Sequence, residues 1–214
     1  MYTPKWFKED RLSVLHEAIE RIGFGTLVTN SSKKGILATH IPMIVDKEHG
    51  VKGTIIGHIA RGNEQWQDHD QSEALAIFLG PNAYISPVWY ESTKETGETV
   101  PTWNYIAIHT YGVLRFYDDQ KAMLDAVTRL ADFFEFSTGE EERWHVSDAP
   151  QSYIQDELKG IVGFEMPISR IEGKWKLNQN RSKKDREGVI EALNKDPLTR
   201  EVAEEMRKGL NKEK

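Results

Sequence analysis

The chain of 214 residues contains no cysteine. That excludes disulfides, thiol nucleophiles and cysteine-ligated zinc or iron–sulfur centres, and it agrees with a reducing, cytoplasmic setting. No apolar run approaches the roughly 20 residues of a membrane-spanning helix, so no membrane partner is expected. The opening Met-Tyr-Thr-Pro-Lys-Trp-Phe-Lys-Glu-Asp lacks the continuous apolar stretch of a secretory signal. There is no Walker loop. Gly23-Phe-Gly25 follows a helix and lacks a third glycine, which sets aside a dinucleotide-binding fold. Ser86 sits between Ile85 and Pro87 rather than in a Gly-x-Ser-x-Gly elbow, so no catalytic residue is assigned. His16-Glu-Ala-Ile-Glu20 is not the paired-histidine zinc motif, and no metal site is expected.

Positive charge is also short. The net charge is −6. From Arg181 onward ten Lys/Arg face eight Asp/Glu, so the tail is near +2 and the preceding residues hold −8. A phosphate backbone is attracted by clustered cations, so DNA is a weakly supported partner for the body of the chain. In the tail, residues 188–193 and a second helix after Asp196-Pro197 could mimic a helix-turn-helix, but Glu201, Glu204 and Glu205 put acid on the reading helix.

What is present is aromatic and polar. Gly80-Pro-Asn-Ala-Tyr-Ile-Ser-Pro-Val-Trp-Tyr90 and Val100-Pro-Thr-Trp-Asn-Tyr105 concentrate rings, prolines and amides on either side of a charged loop, 91–99. Rings give large, stiff contact area and amides aim hydrogen bonds, which suits a flat, partly polar ligand. A hairpin whose aromatics fill a core explains the same residues. If the 91–99 loop is mobile, it is the natural lid over this wall.

Around these segments an amphipathic helix is predicted over 10–22, then short strands over 24–29, 36–45, 54–60, 74–79 and 83–88, with a short helix over 62–70. A long strand follows over 105–117. Next comes a helix near 119–135, with Met123, Leu124, Val127, Leu130, Ala131 and Phe134 as its buried stripe. An exposed acidic loop over 137–143 and a hairpin of 161–171 with 175–177 about Glu172-Gly-Lys174 complete the body. Two polar helices fill 183–211. Many short strands with few helices predict a mainly β, α+β fold, an antiparallel barrel or sandwich with peripheral helices. The expected division is a domain over 1–181 and a helical appendage over 182–214.

Two further clusters carry chemistry. Gly57-His-Ile-Ala-Arg-Gly-Asn63 joins a strand to a short helix, where free N–H groups, Gly62 and the Arg61 fork could cradle a phosphate. Equally, Arg61 could be a surface arginine and Asn63 a helix cap. Lys176-Leu-Asn-Gln-Asn-Arg181 ends a strand in cationic and amide groups, or is simply a solvated strand end.

Taken together, Gly80–Tyr90, Val100–Tyr105, Gly57–Asn63 and Lys176–Arg181 resemble, in order, the signatures of the PaiB-type FMN-binding negative transcriptional regulators. The resemblance spans nearly the whole chain. It implies a flavin-reductase-like split β-barrel of antiparallel Greek-key type, a homodimer, and FMN at the subunit interface. It also implies a role in repressing degradative-enzyme (protease) synthesis and sporulation. Carried over by position, Arg61 and Asn63 would hold the FMN phosphate with His58 on the same strand. Trp103 and Asn104 would border the flavin ring, and Lys176, Gln179 and Asn180 would close the pocket. Asn82, Val88 and Asn178 stand where the family more often has His, Ser and Ser. An FMN-dependent oxidoreductase with an indirect regulatory effect is the alternative function, and a haem-handling barrel a third.

Overall fold

The computed structural model describes residues 1–67 and 73–211. In chain order the elements are β1 (Lys8–Glu9), α1 (Leu12–Ile22), β2 (Phe24–Ser31), β3 (Gly35–Asp46), β4 (Thr54–Ala60), β5 (Glu73–Ile85), α2 (Glu91–Thr96), β6 (Thr102–Val113), β7 (Arg115–Tyr117), α3 (Gln120–Ser137), α4 (Gln151–Leu158), β8 (Ile161–Pro167), β9 (Arg170–Lys176), α5 (Lys183–Leu193) and α6 (Arg200–Asn211). Contacts group the chain into two compact units. One contains Met1–Arg11, Leu79–Ile108 and Glu172–Lys214, and the other Leu12–Phe78 and His109–Ile171. The expected appendage thus groups with residues 1–11 and 79–108.

The second unit is built on β3. Residues 35–42 of that strand pair antiparallel with β2, and residues 43–46 pair with β4. β4 continues the ladder onto β8 over seven residue pairs, β7 lies beyond β8, and β2 pairs on its other side with residues 75–77 of β5. Burial follows pairing. The first half of β3 alternates and keeps one face in solvent, while Met43, Ile44 and Val45 are all buried because α1 and α3 cover that end. α1 forms where Leu15, Ala18 and Ile19 recur at helical spacing, and all three are buried. It stops at Gly23, whose φ of +62° favours glycine and whose N–H reaches the Ile19 carbonyl at 2.8 Å. α3 starts at Asp119, which accepts from the Ala122 N–H, and packs Ala126 and Leu130 against Ile44 and Ile56.

In the first unit the strand order is β1-β9-β6-β5. α5 packs on α6 and on α2. The helices contribute Val189, Ile190, Leu193, Val202, Ala203 and Met206 to the buried set.

Several sequence expectations are corrected. The predicted strands over 74–79 and 83–88 are one strand, β5, running through Gly80-Pro81, and the backbone then leaves it into a turn at Pro87–Trp89. The predicted hairpin about Glu172-Gly-Lys174 does not exist. Those residues lie inside β9, where Gly173 pairs with Glu9, while β8 pairs with β4 and β7. The long strand 105–117 breaks at Leu114. The 62–70 helix is a three-residue turn at Glu64–Trp66, and its residues 68–70 lie outside the described residues. The α3 stripe runs through Met123, Ala126 and Leu130, leaving Leu124 at 40% exposure. The charged 91–99 segment is not an irregular loop throughout. It forms α2, with the Ser92 N–H and hydroxyl held by the Asp185 carboxylate at 2.9 and 3.0 Å.

β6 and the end of β8 touch closely at Gly112. A Cβ there would stand 2.2 Å from the Pro167 carbonyl oxygen and 2.9 Å from Met166 Cγ. Gly112→Ala is therefore expected to cost about 2–3 kcal/mol, read as a fall of several degrees in Tm. Gly62→Ala meets nothing within 4 Å and is the matched control with Tm nearly unchanged.

Candidate functional site

Three of the sequence candidates belong to the second unit. His58 lies on β4 opposite Gly163 of β8. Its Nδ1 is buried and meets no partner among the described residues, and burial pushes the imidazole below its ordinary value of 6.5. A buried polar atom left unpaired is costly, so such an atom asks for a ligand, a water or a reason. Three residues on, the strand ends and Arg61 turns back. Its backbone N–H donates to the Gly160 carbonyl at 2.8 Å, its Nε to the Lys159 carbonyl at 2.8 Å and its Nη2 to the Ile161 carbonyl at 3.0 Å. Nη1 lies 3.4 Å from the Asp118 carboxylate. A guanidinium has five N–H donors, so one on each Nη is left over. Asn63 caps the following turn, its Oδ1 accepting from the Gln65 N–H at 2.9 Å, while its Nδ2 donates to the Thr39 hydroxyl at 2.9 Å. Thr39 in turn donates to Gln65 at 2.6 Å. The strand end is thus a rigid corner that holds an arginine fork in place, with open space beside Gly62.

The other five candidates belong to the first unit, and the structure separates them. Successive residues of a strand point to opposite faces. Asn104, Ile106, Ile108 and Thr110 form one fully buried row, so Asn104 points inward, where its Nδ2 donates to Met206 Sδ at 3.4 Å and its Oδ1 has no partner among the described residues. Trp103 points out at 49% exposure, its ring set edge-on to Tyr84 with centroids 6.1 Å apart and its Nε1 donating to Asn82 Oδ1 at 3.2 Å. The two residues do not share a face. Lys176 is half-buried, and its Nζ donates to the Thr102 hydroxyl at 2.5 Å and to the Trp103 carbonyl. Burial first, and the charge of Lys174 second, pull its amine below the ordinary 10.5. Gln179 is engaged locally, accepting from the Leu177 N–H at 2.8 Å and donating to the Trp175 carbonyl at 2.5 Å. Asn180 is exposed, and together with Lys176 it lines a cavity of about 190 Å³.

A larger cavity of about 590 Å³ lies in the second unit, lined among others by Leu124, Thr128, Asp132, His145, Ile154 and Leu158. No sequence candidate lines it. Its far wall is α4, which has no marked apolar period in the sequence, and Leu124, expected in the buried stripe of α3, stands exposed on the opposite wall. Asp132 and His145 form a 3.0 Å pair beside the apolar lining.

Residues 1–170 match the family described as "Putative FMN-binding domain". The chain is 35% identical over 216 residues to protease synthase and sporulation protein PAI 2 of Bacillus subtilis, covering all of both chains. It is 32% identical over 238 residues to an uncharacterised protein of Aspergillus fumigatus, covering 91% of each. Among solved structures, the FAD and haem binding protein of Mycobacterium smegmatis superposes with a TM-score of 0.55 at 12% identity, over 79% of this chain and 73% of that one. The fold is therefore that of the flavin-binding split barrels, a mostly antiparallel sheet with attached helices. Within that class, the chain belongs to the FMN-binding family that includes the Bacillus protein.

The depressed His58 pKa makes a pH prediction. Folding keeps the ring neutral, so its contribution is fully present above the unfolded-state value near 6.5 and is lost as pH falls through the lower folded value. Chemical denaturation at pH 7.5 and 5.5 should show a larger acid loss for the parent chain than for His58→Gln. Equal losses would remove the buried, neutral ring from the account.

Proposed function

We propose that the protein is a cytoplasmic, FMN-binding homodimer acting as a negative regulator of protease synthesis and sporulation, with the flavin as its sensing ligand. Full-length similarity to the Bacillus sporulation protein is the observation that carries the regulatory part. The corner at the end of β4 supports the flavin part. In this reading Arg61, steadied from behind by two carbonyls, offers its remaining N–H fork to the FMN phosphate. Asn63 keeps the turn open, and the unpaired His58 Nδ1 takes a ligand hydrogen bond. Trp103 offers its exposed ring to the isoalloxazine, with Lys176 and Asn180 as polar neighbours and Gln179 bracing their turn. Asn104 acts from behind the strand by holding its inward row. Exposed Tyr84 and Trp103 favour burial against a second copy of the chain. When bound, FMN would supply reversible hydride or electron acceptance.

A flavin-dependent oxidoreductase with an indirect regulatory effect is the second reading, favoured by charge. The net charge is −6, and α6 exposes Glu201 and Glu204 beside Arg207 and Lys208. Such a surface does not favour direct operator contact, and DNA is the weaker partner in either reading. A yellow protein bleached by a reduced nicotinamide cofactor would select the enzyme. A protein unaffected by it that shifts operator DNA at moderate salt would select the regulator.

The phosphate assignment has its own measurement. In a fluorescence titration with FMN and riboflavin, the parent chain should favour FMN, and Arg61→Ala should weaken FMN by about tenfold or more while leaving riboflavin nearly unchanged. An unaltered FMN-to-riboflavin ratio in the variant would refute the cradle.

A further inference from the structure

The 190 Å³ cavity in the first unit has a composition that the flavin reading does not require. Tyr90, Thr102, Lys176, Asn178, Asn180 and Arg181 supply its polar lining, and none of the described residues that line it is acidic. Two of these side chains are cationic. Lys176 spends two of its three N–H donors on Thr102 and the Trp103 carbonyl, which leaves one. Arg181 lies with its guanidinium carbon 4.9 Å from the centre of the Tyr90 ring and forms no ion pair among the described residues. The nearby Asp185 carboxylate is already occupied by the N–H and hydroxyl of Ser92.

Tyr90 and Asn178 form the buried part of the lining. Tyr90 is 1% exposed, and its hydroxyl oxygen accepts from Asn178 Nδ2 at 3.1 Å, which leaves the phenolic hydrogen free to donate. Burial raises the Tyr90 pKa and keeps that hydrogen on the ring. Asn178 is 3% exposed and adopts φ of +62°, the single positive value for a non-glycine among the described residues. Asparagine tolerates this conformation better than most residues, and strain of this kind gathers at functional sites. Donors from a lysine, an arginine fork and a phenol, with no carboxylate in the lining itself, fit an oxyanion, although Asp185 behind Arg181 offsets part of its charge. The volume lies below the roughly 300 Å³ at which pockets for drug-sized ligands begin, so a whole flavin nucleotide does not fit.

We propose that this cavity is an oxyanion site that takes the carboxylate or phosphate group of a small ligand other than the flavin. It shares Lys176 and Asn180 with the flavin reading, so its test must separate the two. The full chain, prepared without flavin in a chloride buffer, is titrated calorimetrically with inorganic phosphate and, separately, with acetate. Each titration is repeated in saturating FMN. One saturable site is expected, for phosphate if the ligand is a phosphate ester and for acetate if it is a carboxylic acid. Affinity should fall about tenfold or more in Arg181→Gln and should vanish in Asn180→Asp, which places a carboxylate at an exposed position that folding tolerates. Arg143→Gln, on the other unit, should bind as the parent does, and saturating FMN, which shares Lys176 and Asn180, should shift the affinity without abolishing the isotherm. Absence of saturable binding of both anions, or parent-like affinity in both cavity variants, would overturn the site. Displacement by FMN would overturn it too, because the cavity would then hold the flavin's own phosphate. A chain that binds the anion but not FMN would defeat the flavin reading alone.

Discussion

β3 is shared by two ladders, and the second unit depends on that sharing. The strand pairs with β2 up to Pro42, and from Met43 it pairs with β4. At the changeover the Met43 N–H reaches the Gly23 carbonyl at 2.8 Å, and Gly25 admits the Met43 side chain where a Cβ would lie 2.7 Å from its methyl carbon. The far end of β3 is closed by Asp46. Burial works against that carboxylate's charge, but the Arg129 guanidinium at 2.6 Å, the Glu48 N–H and His49 outweigh it and hold the pKa down. α3 is tied to β3 by this pair. β4 takes its register from β3, and β4 delivers both His58 and the corner at Arg61.

Arg61 shows how one residue can satisfy two accounts of itself. The carbonyls of Lys159 and Ile161 engage two donors, which is what a structural arginine does. The same bonds remove the side-chain freedom that a long cation would otherwise lose on binding, so the outward fork is already oriented. Asn63 behaves alike. Its amide is spent on Gln65 and Thr39, and by that expense the turn beside Gly62 keeps its shape. Capping is observed here, and the proposed phosphate site would use the same bonds as its support.

Period and turn chemistry made much of the fold legible in the sequence. α1, β2, β3, β4, α5 and α6 announce themselves by apolar spacing and by Gly, Asn and Asp at their ends. The misses have physical causes. α2 and α4 are short, and α2 is held by Asp185, ninety-three residues away, a contact no local pattern reveals. Gly80-Pro81 reads as a break, yet β5 passes through it. Glu172-Gly173-Lys174 reads as a turn, but pairing with β1 keeps it extended. Along β6, strand parity in the sequence separates Trp103 from Asn104. Asn104 has the same parity as Ile106, Ile108 and Thr110, which already argued that it faces inward and Trp103 outward.

The C-terminal helices bear on how a protein of this kind could influence transcription. A helix that reads a groove needs a cationic face free of the core. In α6, Val202, Ala203 and Met206 are buried, and Met206 meets Asn104 of β6. The exposed positions mix Glu201 and Glu204 with Arg207 and Lys208. α5 likewise buries Val189, Ile190 and Leu193. Each helix therefore spends its apolar stripe inside its own unit and leaves a surface of mixed sign. Such a surface suits contact with another protein or with a second copy of the chain better than contact with a polyanion. These helices therefore lend a regulatory reading a protein contact rather than a groove contact.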